Sequence, residues 1–215
     1  MQQDVAGLVE AMGGRELMGK RLDAFFALDA LQKNPYDAVR KDWVVGPYSY
    51  YNQYRYNPNN EPDLHAPWMY THIGQAWKTT AVVRAAESLF SNAPNGVTGN
   101  DDLGTMSAWY IFSALGIYPS TPGTGDFLLH TPKFAQAKID LGNGKNLLIN
   151  AYRHNSKAIG YIQNARFHGK PQNKVFLTWE QIQMGGELEF ELNPTRQTWG
   201  NQLDALPVGL ISKIK

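Results

Sequence analysis

The sequence predicts an α+β protein, with a helical half over residues 1–122 and a β-rich, mostly antiparallel half over residues 123–215. In the first half apolar residues recur three and four positions apart, which is the spacing of one helix face. After Pro122 the apolar residues fall instead into short segments separated by glycine and asparagine. The change of period lies near residues 120–126, and we expect the boundary between the two parts there.

Four helices are predicted in the first half. Val5, Leu8, Val9 and Met12 define the first, which the Gly-Gly pair at 13–14 ends. The other three are predicted at 15–31, at 65–90 and from Asp101 or Asp102 to residue 115, and a tyrosine-rich stretch at 33–62 is predicted as a long functional loop.

Six strands are predicted in the second half, at 127–129, 137–141, 146–152, 158–163, 174–177 and 187–192. The sixth reads Glu-Leu-Glu-Phe-Glu-Leu, and such strict alternation predicts one buried face and one face in water.

Composition excludes several classes of function. The formal net charge is +1 with a pI of about 7.9, so the chain carries no basic excess for nucleic acid. The longest apolar run, residues 108–118, is far shorter than the roughly 20 residues that cross a bilayer. There is no cysteine, which excludes disulfides, thiolate metal sites and cysteine nucleophiles. The sequence therefore predicts neither a nucleic-acid partner nor a membrane partner.

Two groups of oxygen-bearing side chains each precede a predicted helix. One contains Asn60 and Glu61, and the other contains Asn100, Asp101 and Asp102. If the two helices are neighbours, both groups lie at one end of the helical part. Such groups suit a Ca²⁺ site or the paired carboxylates of glycoside hydrolysis, but Asp at a helix start also caps helices, and spacing alone does not separate these explanations.

No other catalytic pattern is present. The five histidines lack the spacing of metal ligands, and the sequence contains no G-x-S-x-G, no P-loop, no G-x-G-x-x-G and no H-E-x-x-H.

Four stretches resemble motifs of glycoside hydrolase family 92, in the same order and over essentially the whole chain. They are QQDVAGLVEAMGG at 2–14, NEPDLHAP with GQAWKT at 60–67 and 74–79, GNDDLGTMSAWYIFSALGIYPSTPG at 99–123, and the closing Gly186 to Gly200 segment. The resemblance implies calcium-dependent exo-α-mannosidases that invert the anomeric centre, α-1,2-linked mannose being the expected substrate. It also implies a β-sandwich domain followed by an (α/α)₆ barrel. Residues 1–122 then resemble the end of that barrel, and residues 123–215 the C-terminal β-rich portion.

The resemblance also implies roles for particular residues. Asp102 would be the general base, and Asn100 stands where many members have a second Asp. Asn60 and Glu61 would bind Ca²⁺, the implied cofactor. The implied substrate-binding residues are His65, Gln75, Trp77, Lys78 and Asp101.

One functional group of the family is not found in this sequence. The general-acid Glu belongs to an E-G-x-x-W-Q-Y stretch just before the motif in which this chain begins. We therefore expect a C-terminal piece that is inactive alone, with the upstream part of the same enzyme as partner. The expected substrates are α-mannoside oligosaccharides or the mannose of N-glycans, and analogy with the family predicts a periplasmic or secreted location.

Two alternatives remain open from the sequence. The first is a non-catalytic carbohydrate-binding module in which aromatic rings of the loop, Tyr48, Tyr50, Tyr51, Tyr54 and Tyr56, stack on sugars. The second is another inverting (α/α)₆ enzyme such as a disaccharide phosphorylase, although no phosphate-binding pattern favours it.

Overall fold

The computed structural model describes residues 3–43, 54–142, 144–153 and 160–209. Eight α-helices lie in these residues. They are α1 (Val5–Ala11), α2 (Arg15–Phe25), α3 (Leu28–Lys33), α4 (Pro35–Lys41), α5 (Met69–His72), α6 (Ala76–Glu87), α7 (Thr105–Leu115) and α8 (Trp179–Met184). Short 3₁₀ turns cover Glu61–Asp63, Ala66–Trp68 and Leu203–Ala205.

The strands follow α7 and form two sheets. They are β1 (Ile117–Tyr118), β2 (Asp126–Leu129), β3 (Gln136–Asp140), β4 (Asn146–Arg153), β5 (Tyr161–Phe167), β6 (Lys170–Pro171), β7 (Phe176–Thr178) and β8 (Gly186–Asn193). One sheet has the order β1-β2-β7 and the other the order β3-β4-β8-β5-β6. Only the β4–β8 pair among the described strands is parallel, so the predicted α+β class with mostly antiparallel strands is confirmed.

The predicted helix at 15–31 is two helices. The chain breaks after Phe25, and Ala27 takes a left-handed φ of +51° before α3 begins. The predicted loop at 33–62 is also wrong in its first part, because α4 occupies it. The Asn34 side chain accepts a hydrogen bond from the Asp37 amide at 3.2 Å and Pro35 holds the first helical position, a combination that favours a helix start.

The predicted helix at 65–90 is interrupted as well. A 3₁₀ turn and the short α5 come first, and α6 begins only after Gly74. Gly74 has a φ of +76°, and a Cβ atom there would lie 2.7 Å from the Arg15 guanidinium and 3.0 Å from the Asn201 carbonyl oxygen. Close packing against the C-terminal segment therefore breaks the helix at a position that only glycine fits.

The helix after the second acidic group begins later than predicted. α7 starts at Thr105, because Asp102, Leu103 and Gly104 all have positive φ values. Its end agrees with the prediction, since Gly116 closes it with a φ of +82°.

All six predicted strands correspond to strands of the structure, with shifted ends. The segment predicted at 158–163 is β5, which begins at Tyr161, and residues 158 and 159 lie outside the described residues. β8 alternates as predicted, with Leu188, Phe190 and Leu192 buried. The sequence did not indicate β1, β6 or α8.

Two apolar clusters form the core. The first fills the helical part around Phe26, Trp68 and Trp109, and the second lies between the two sheets around Leu147 and Phe190. Trp199 packs against both clusters, which ties the segment after β8 to the helices. The division at residue 122 remains a prediction. Among the described helices none has the length and apolarity needed to cross a membrane.

Candidate active site

Each polar group predicted from the sequence lies in a segment that leads into a helical turn or helix. The first junction carries Asn60 and Glu61, the second junction carries Asn100, Asp101 and Asp102, and the two junctions contact each other. The Thr98 hydroxyl donates a hydrogen bond to the side-chain oxygen of Asn59. Gly99 lies so close to Asn59 that a Cβ atom on it would be 2.9 Å from the Asn59 Cα. Deeper in the fold, the Trp109 indole donates to the Leu64 carbonyl oxygen at 3.0 Å. The segment that carries Asn60 and Glu61 therefore lies directly against the segment that leads to Asp102.

Asp101 holds the second junction to its helix. One of its oxygens accepts hydrogen bonds from the Ser107 amide at 2.9 Å and from the Ser107 hydroxyl at 2.7 Å. The hydroxyl bond and then the amide bond lower the pKa of the Asp101 carboxyl, so it stays ionised at neutral pH. Asp101 thus satisfies an amide of the first turn of α7 although it lies outside the helix.

Asn100 and Asp102 form a pair on the surface of this loop. The Asn100 amide donates to an Asp102 carboxylate oxygen at 2.7 Å, and both side chains are exposed. Asp102 has a left-handed φ of +44°, a conformation that Asp adopts more readily than most residues. The pair is an oriented carboxylate that water can reach.

Asn60 and Glu61 lie at the start of the first 3₁₀ turn. Asn60 is exposed and Glu61 is half-buried. Amide and carboxylate oxygens are the ligands that calcium prefers, so the donor type of this pair fits that ion. Across residues 3–43, 54–142, 144–153 and 160–209, no three His, Asp or Glu side chains converge as a metal-binding group.

His65 faces a cavity of about 450 Å³ with a mostly apolar lining. Burial lowers the pKa of His65 to about 4, so its ring is neutral at pH 7. Asp63 lines the same cavity, and burial raises the pKa of its carboxyl. Burial, with the charge of His65 as a lesser cause, also lowers the pKa of His72 to about 4.

Lys78 is held by a partner that the sequence did not indicate. Its ammonium contacts both carboxylate oxygens of Asp23, at 2.7 and 2.8 Å, and the Tyr70 hydroxyl donates to the same carboxylate at 2.9 Å. Asp23 lies 55 positions before Lys78, and no local pattern announces such a pair. The Lys78 side chain is only 13% exposed, so its charge is fixed in place.

Gln75 and Trp77 face different neighbours. The Gln75 side chain lies against Gly19 of α2, and its buried Oε1 lacks a hydrogen-bond partner within the described part of the chain. Trp77 lies against the second half of the molecule, with Tyr161 of β5 at 6.3 Å between ring centroids and the Arg196 guanidinium 4.9 Å from its ring. The structure thus brings Gln75 to α2, as it does Lys78, and places Trp77 against β5.

The carbohydrate-binding alternative needs exposed tyrosine rings in the stretch at 33–62, and the structure reduces their number. Tyr54 is 73% exposed, but Tyr56 is fully buried between Phe26 and Trp43 and cannot stack on a sugar. Tyr48, Tyr50 and Tyr51 lie outside the described residues.

A second cavity lies beside the second junction. It has a volume of about 790 Å³ and is lined by the 91–97 segment together with Gly99, Asp101, Ser107 and Tyr110. Its volume is in the range of small-ligand pockets. Ser107 belongs to this candidate site through its contact with Asp101, and the sequence did not indicate it, since serine inside an apolar helix carries no catalytic pattern.

The sequence profile of the glycosyl hydrolase family 92 catalytic domain matches residues 1–194. The chain belongs to glycosyl hydrolase family 92. The resemblance seen in the sequence is thereby confirmed.

Individual relatives of this family 92 chain agree with that assignment. A curated protein of Arthroderma benhamiae, described as an uncharacterized secreted glycosidase, is 30% identical over 159 residues, which are 73% of this chain and 20% of the relative. A solved family GH92 α-mannosidase of Bacteroides thetaiotaomicron is 28% identical, with a TM-score of 0.80 over 97% of this chain and 26% of the other. A family GH92 inverting mannosidase of the same species is 29% identical, with a TM-score of 0.76 over 96% of this chain and 28% of the other.

The family 92 chain therefore spans a fifth of the length of the curated relative and 26% and 28% of the lengths of the two mannosidases. It is similar to one part of each of these proteins. The similarity includes both polar junctions, because the matched residues 1–194 contain them.

Proposed function

We propose that this chain supplies the base side and the calcium side of the active site of an inverting α-mannosidase. The observation that carries the proposal is the contact between the two junctions, in which Thr98 and Gly99 lie against Asn59. That contact brings the segment with Asn60 and Glu61 together with the loop of Asp102 in a chain that belongs to a glycoside hydrolase family.

Asp102 is the proposed general base. In an inverting glycosidase one carboxylate takes a proton from a water molecule while that water attacks the anomeric carbon, and the carbon–oxygen bond to the leaving group breaks. The exposed Asp102 is open to such a water, and the Asn100 amide orients its carboxylate through the 2.7 Å hydrogen bond. A carboxylic acid on the other side of the sugar must protonate the leaving oxygen, roughly 6.5–9.5 Å from the base. We propose that this acid comes from a segment outside residues 1–215, so that the chain alone does not turn over.

Asn60 and Glu61 are the proposed calcium ligands. Calcium takes about six to eight oxygens, so these two side chains would share the ion with carbonyl groups, water and sugar hydroxyls. The ion, when bound, would polarise and orient hydroxyl groups of the mannose.

The remaining predicted residues would position the sugar. Lys78 is proposed as a hydrogen-bond donor whose direction Asp23 fixes, and His65 as a neutral imidazole facing its cavity. Gln75 and Trp77 are proposed as further sugar contacts. Asp101 is proposed to contact substrate in addition to holding the loop through Ser107.

Terminal α-mannose is the proposed substrate group, in α-1,2-linked oligosaccharides or in N-glycans. Two of the solved relatives are described as α-mannosidases or mannosidases, and one as inverting. A periplasmic or secreted location is proposed because the curated relative is described as secreted.

The test is release of mannose from α-1,2-mannobiose by the longest gene product that carries this chain, in the presence of calcium. Asp102→Asn should lower kcat about 10²- to 10⁴-fold, because it removes the proton acceptor while keeping the shape of the side chain. The matched control is Asp29→Asn, at an exposed position on α3, which should leave kcat unchanged. Full activity of Asp102→Asn, or a product with retained configuration by NMR, would overturn the proposal.

A further inference from the structure

A third cavity lies on the water-facing side of the five-stranded sheet, away from the junctions that form the candidate active site. Its volume is about 310 Å³, and its lining residues come from three adjacent strands. They are Tyr152 and Arg153 of β4, Glu189 and Glu191 of β8, and Asn164 and Arg166 of β5.

The strand register explains why these side chains, apart from that of Arg153, share one face of the sheet. Tyr152 pairs with Glu191 across β4 and β8, and Arg166 pairs with Glu189 across β5 and β8. Because side chains two apart on a strand share a face, Glu189 and Glu191 point to the same side, opposite the buried Leu188 and Phe190. The apolar core fixes this register, so the polar side chains are held on a rigid surface.

Hydrogen bonds among the described residues orient part of the lining. The Asn164 amide donates to Glu191 at 2.8 Å, and the Tyr152 hydroxyl lies 3.5 Å from a Glu189 oxygen. The Arg153 side chain follows Tyr152 on β4 and so points to the other face, where it donates to the Pro132 carbonyl at 2.8 Å. A carboxylate accepts up to about four hydrogen bonds and a guanidinium donates five, so Glu189 and Arg166 can still bind hydroxyls.

Another set of polar side chains on the same face forms hydrogen bonds within itself. Gln136 donates to Asn150 at 2.9 Å, and Asn150 donates in turn to Glu187, so these three groups pair with one another. The row of Glu189 and Arg166 has no such closed arrangement. The Arg166 guanidinium has no hydrogen bond or ion pair with any described residue, although it stands beside Glu189 in the register.

Among its described residues the cavity offers both a hydrogen-bond donor and an acceptor. Arg166 supplies a guanidinium, and Glu189 supplies a carboxylate that stands beside it in the register. A neutral polyol can donate to the carboxylate and accept from the guanidinium, whereas a simple anion or cation would use only one of the two groups. The Tyr152 ring is 55% exposed at the edge of the cavity and offers an apolar face to the C–H side of a sugar ring.

We propose that this sheet cavity is a carbohydrate-binding site that takes one neutral hexose unit. Its volume lies at the small end of the range of ligand pockets, which suits a single sugar unit rather than a long chain. Glu189 and Arg166 bind adjacent hydroxyls in this site, and Tyr152 packs against the ring. The site needs no calcium, and only the choice of mannose as first probe rests on the proposed function.

The test is an NMR titration of the isotope-labelled chain with methyl α-mannoside, and separately with methyl α-glucoside, in the presence of EDTA. The chelator removes calcium-dependent binding at the junctions, so the shifts that remain report the sheet cavity. At least one of the two sugars should shift the amides of Tyr152, Asn164 and Arg166 in a saturable way. Absence of saturable shifts at these amides with both sugars would overturn the proposal.

Substitutions then assign the contact. Glu189→Gln and Arg166→Gln should each weaken the Kd about tenfold, because each replaces a charged hydrogen-bonding group by a neutral one. The matched control is Lys138→Gln, which changes an exposed charge on β3 of the same sheet and should leave the Kd unchanged. A Kd that is the same in all three variants would overturn the site, whatever the mannosidase assay shows.

Discussion

At the scale of single residues, the Asp23 carboxylate is the group on which the placement of Lys78 depends. It accepts from the Lys78 ammonium and from the Tyr70 hydroxyl, and it comes from a helix that the functional motifs do not include. Motif recognition found Lys78, but it could not find a partner 55 positions away. The same holds for Ser107, whose contact with Asp101 depends on the left-handed turn between them.

Asp23→Asn should lower the free energy of unfolding by about 2 kcal/mol, because the largely buried Lys78 then loses its counter-charge. Urea denaturation of the purified chain measures this change. Glu16→Gln is the control, since it breaks only the exposed Glu16–Lys20 pair and should have little effect. Equal effects of the two substitutions would contradict the role of Asp23.

Buried histidines make the stability depend on pH. His130 is fully buried against Trp68, and its Nε2 lies 2.7 Å from the Ser113 carbonyl oxygen. Burial, followed by the charge of Arg84, lowers the pKa of His130 to about 3 from its ordinary 6.5. Between these pH values the unfolded chain binds more protons than the folded chain, so the free energy of unfolding falls as the pH decreases from 6.5.

His130→Gln should make that pH dependence shallower between pH 6.5 and 4, because glutamine does not titrate and can still donate to the Ser113 carbonyl. Urea denaturation at a series of pH values tests this. The control is the exposed His168, replaced by Asn because its φ of +51° suits asparagine, and this variant should follow the wild-type curve. A slope in His130→Gln as steep as in wild type would contradict the prediction.

At the scale of elements, the sequence located the longer strands and helices but missed four short elements and the breaks within two predicted helices. Helical periodicity runs through 15–31 and through 65–90, yet the structure interrupts both, at Ala27 and at Gly74. Packing of Gly74 against Asn201, which is 127 positions away, causes the second break. Periodicity reports which face of a segment is apolar, and it does not report such distant contacts.

A substitution at Gly99 tests whether calcium binding depends on the contact between the two junctions. Gly99 and Gly123 have similar positive φ values of +74° and +82°, but a Cβ atom on Gly99 would overlap the Asn59 carbonyl, whereas one on Gly123 meets nothing within 4 Å. Gly99→Ala should therefore lower calcium affinity by pushing the junctions apart, and Gly123→Ala, which carries only the backbone strain, should not. Calorimetric titration with calcium chloride distinguishes the two variants, and equal calcium affinities would contradict a shared site.

At the scale of the whole molecule, the two apolar clusters and the tryptophan that joins them define how the halves sit together. The sequence predicted an α+β chain with antiparallel strands, and this is confirmed. The parallel pairing of β4 with β8 could not be predicted, because the strands are about 40 residues apart and their alternation is compatible with either direction. Motif order over the entire chain, rather than any local pattern, identified the family.

α7 presents apolar residues on its exposed side as well as on its buried side. It buries Met106 and Trp109, yet it also exposes Ala108 and 57% of Ile111. A helix that is apolar around its circumference is usually enclosed on all sides. This is consistent with a chain that spans 26% and 28% of the solved mannosidases it matches.

The central claim is that the two junctions form one calcium-dependent mannoside site. Isothermal titration calorimetry of the chain with methyl α-mannoside, with calcium and then with EDTA, tests it most directly. The calcium-dependent part of the binding should be lost in Glu61→Gln and in Gly99→Ala, whose added Cβ pushes the second junction away from Asn59, and retained in Glu10→Gln at an exposed position on α1. Calcium-dependent binding that survives either of the first two substitutions, or that is absent from the wild-type chain, would contradict the claim.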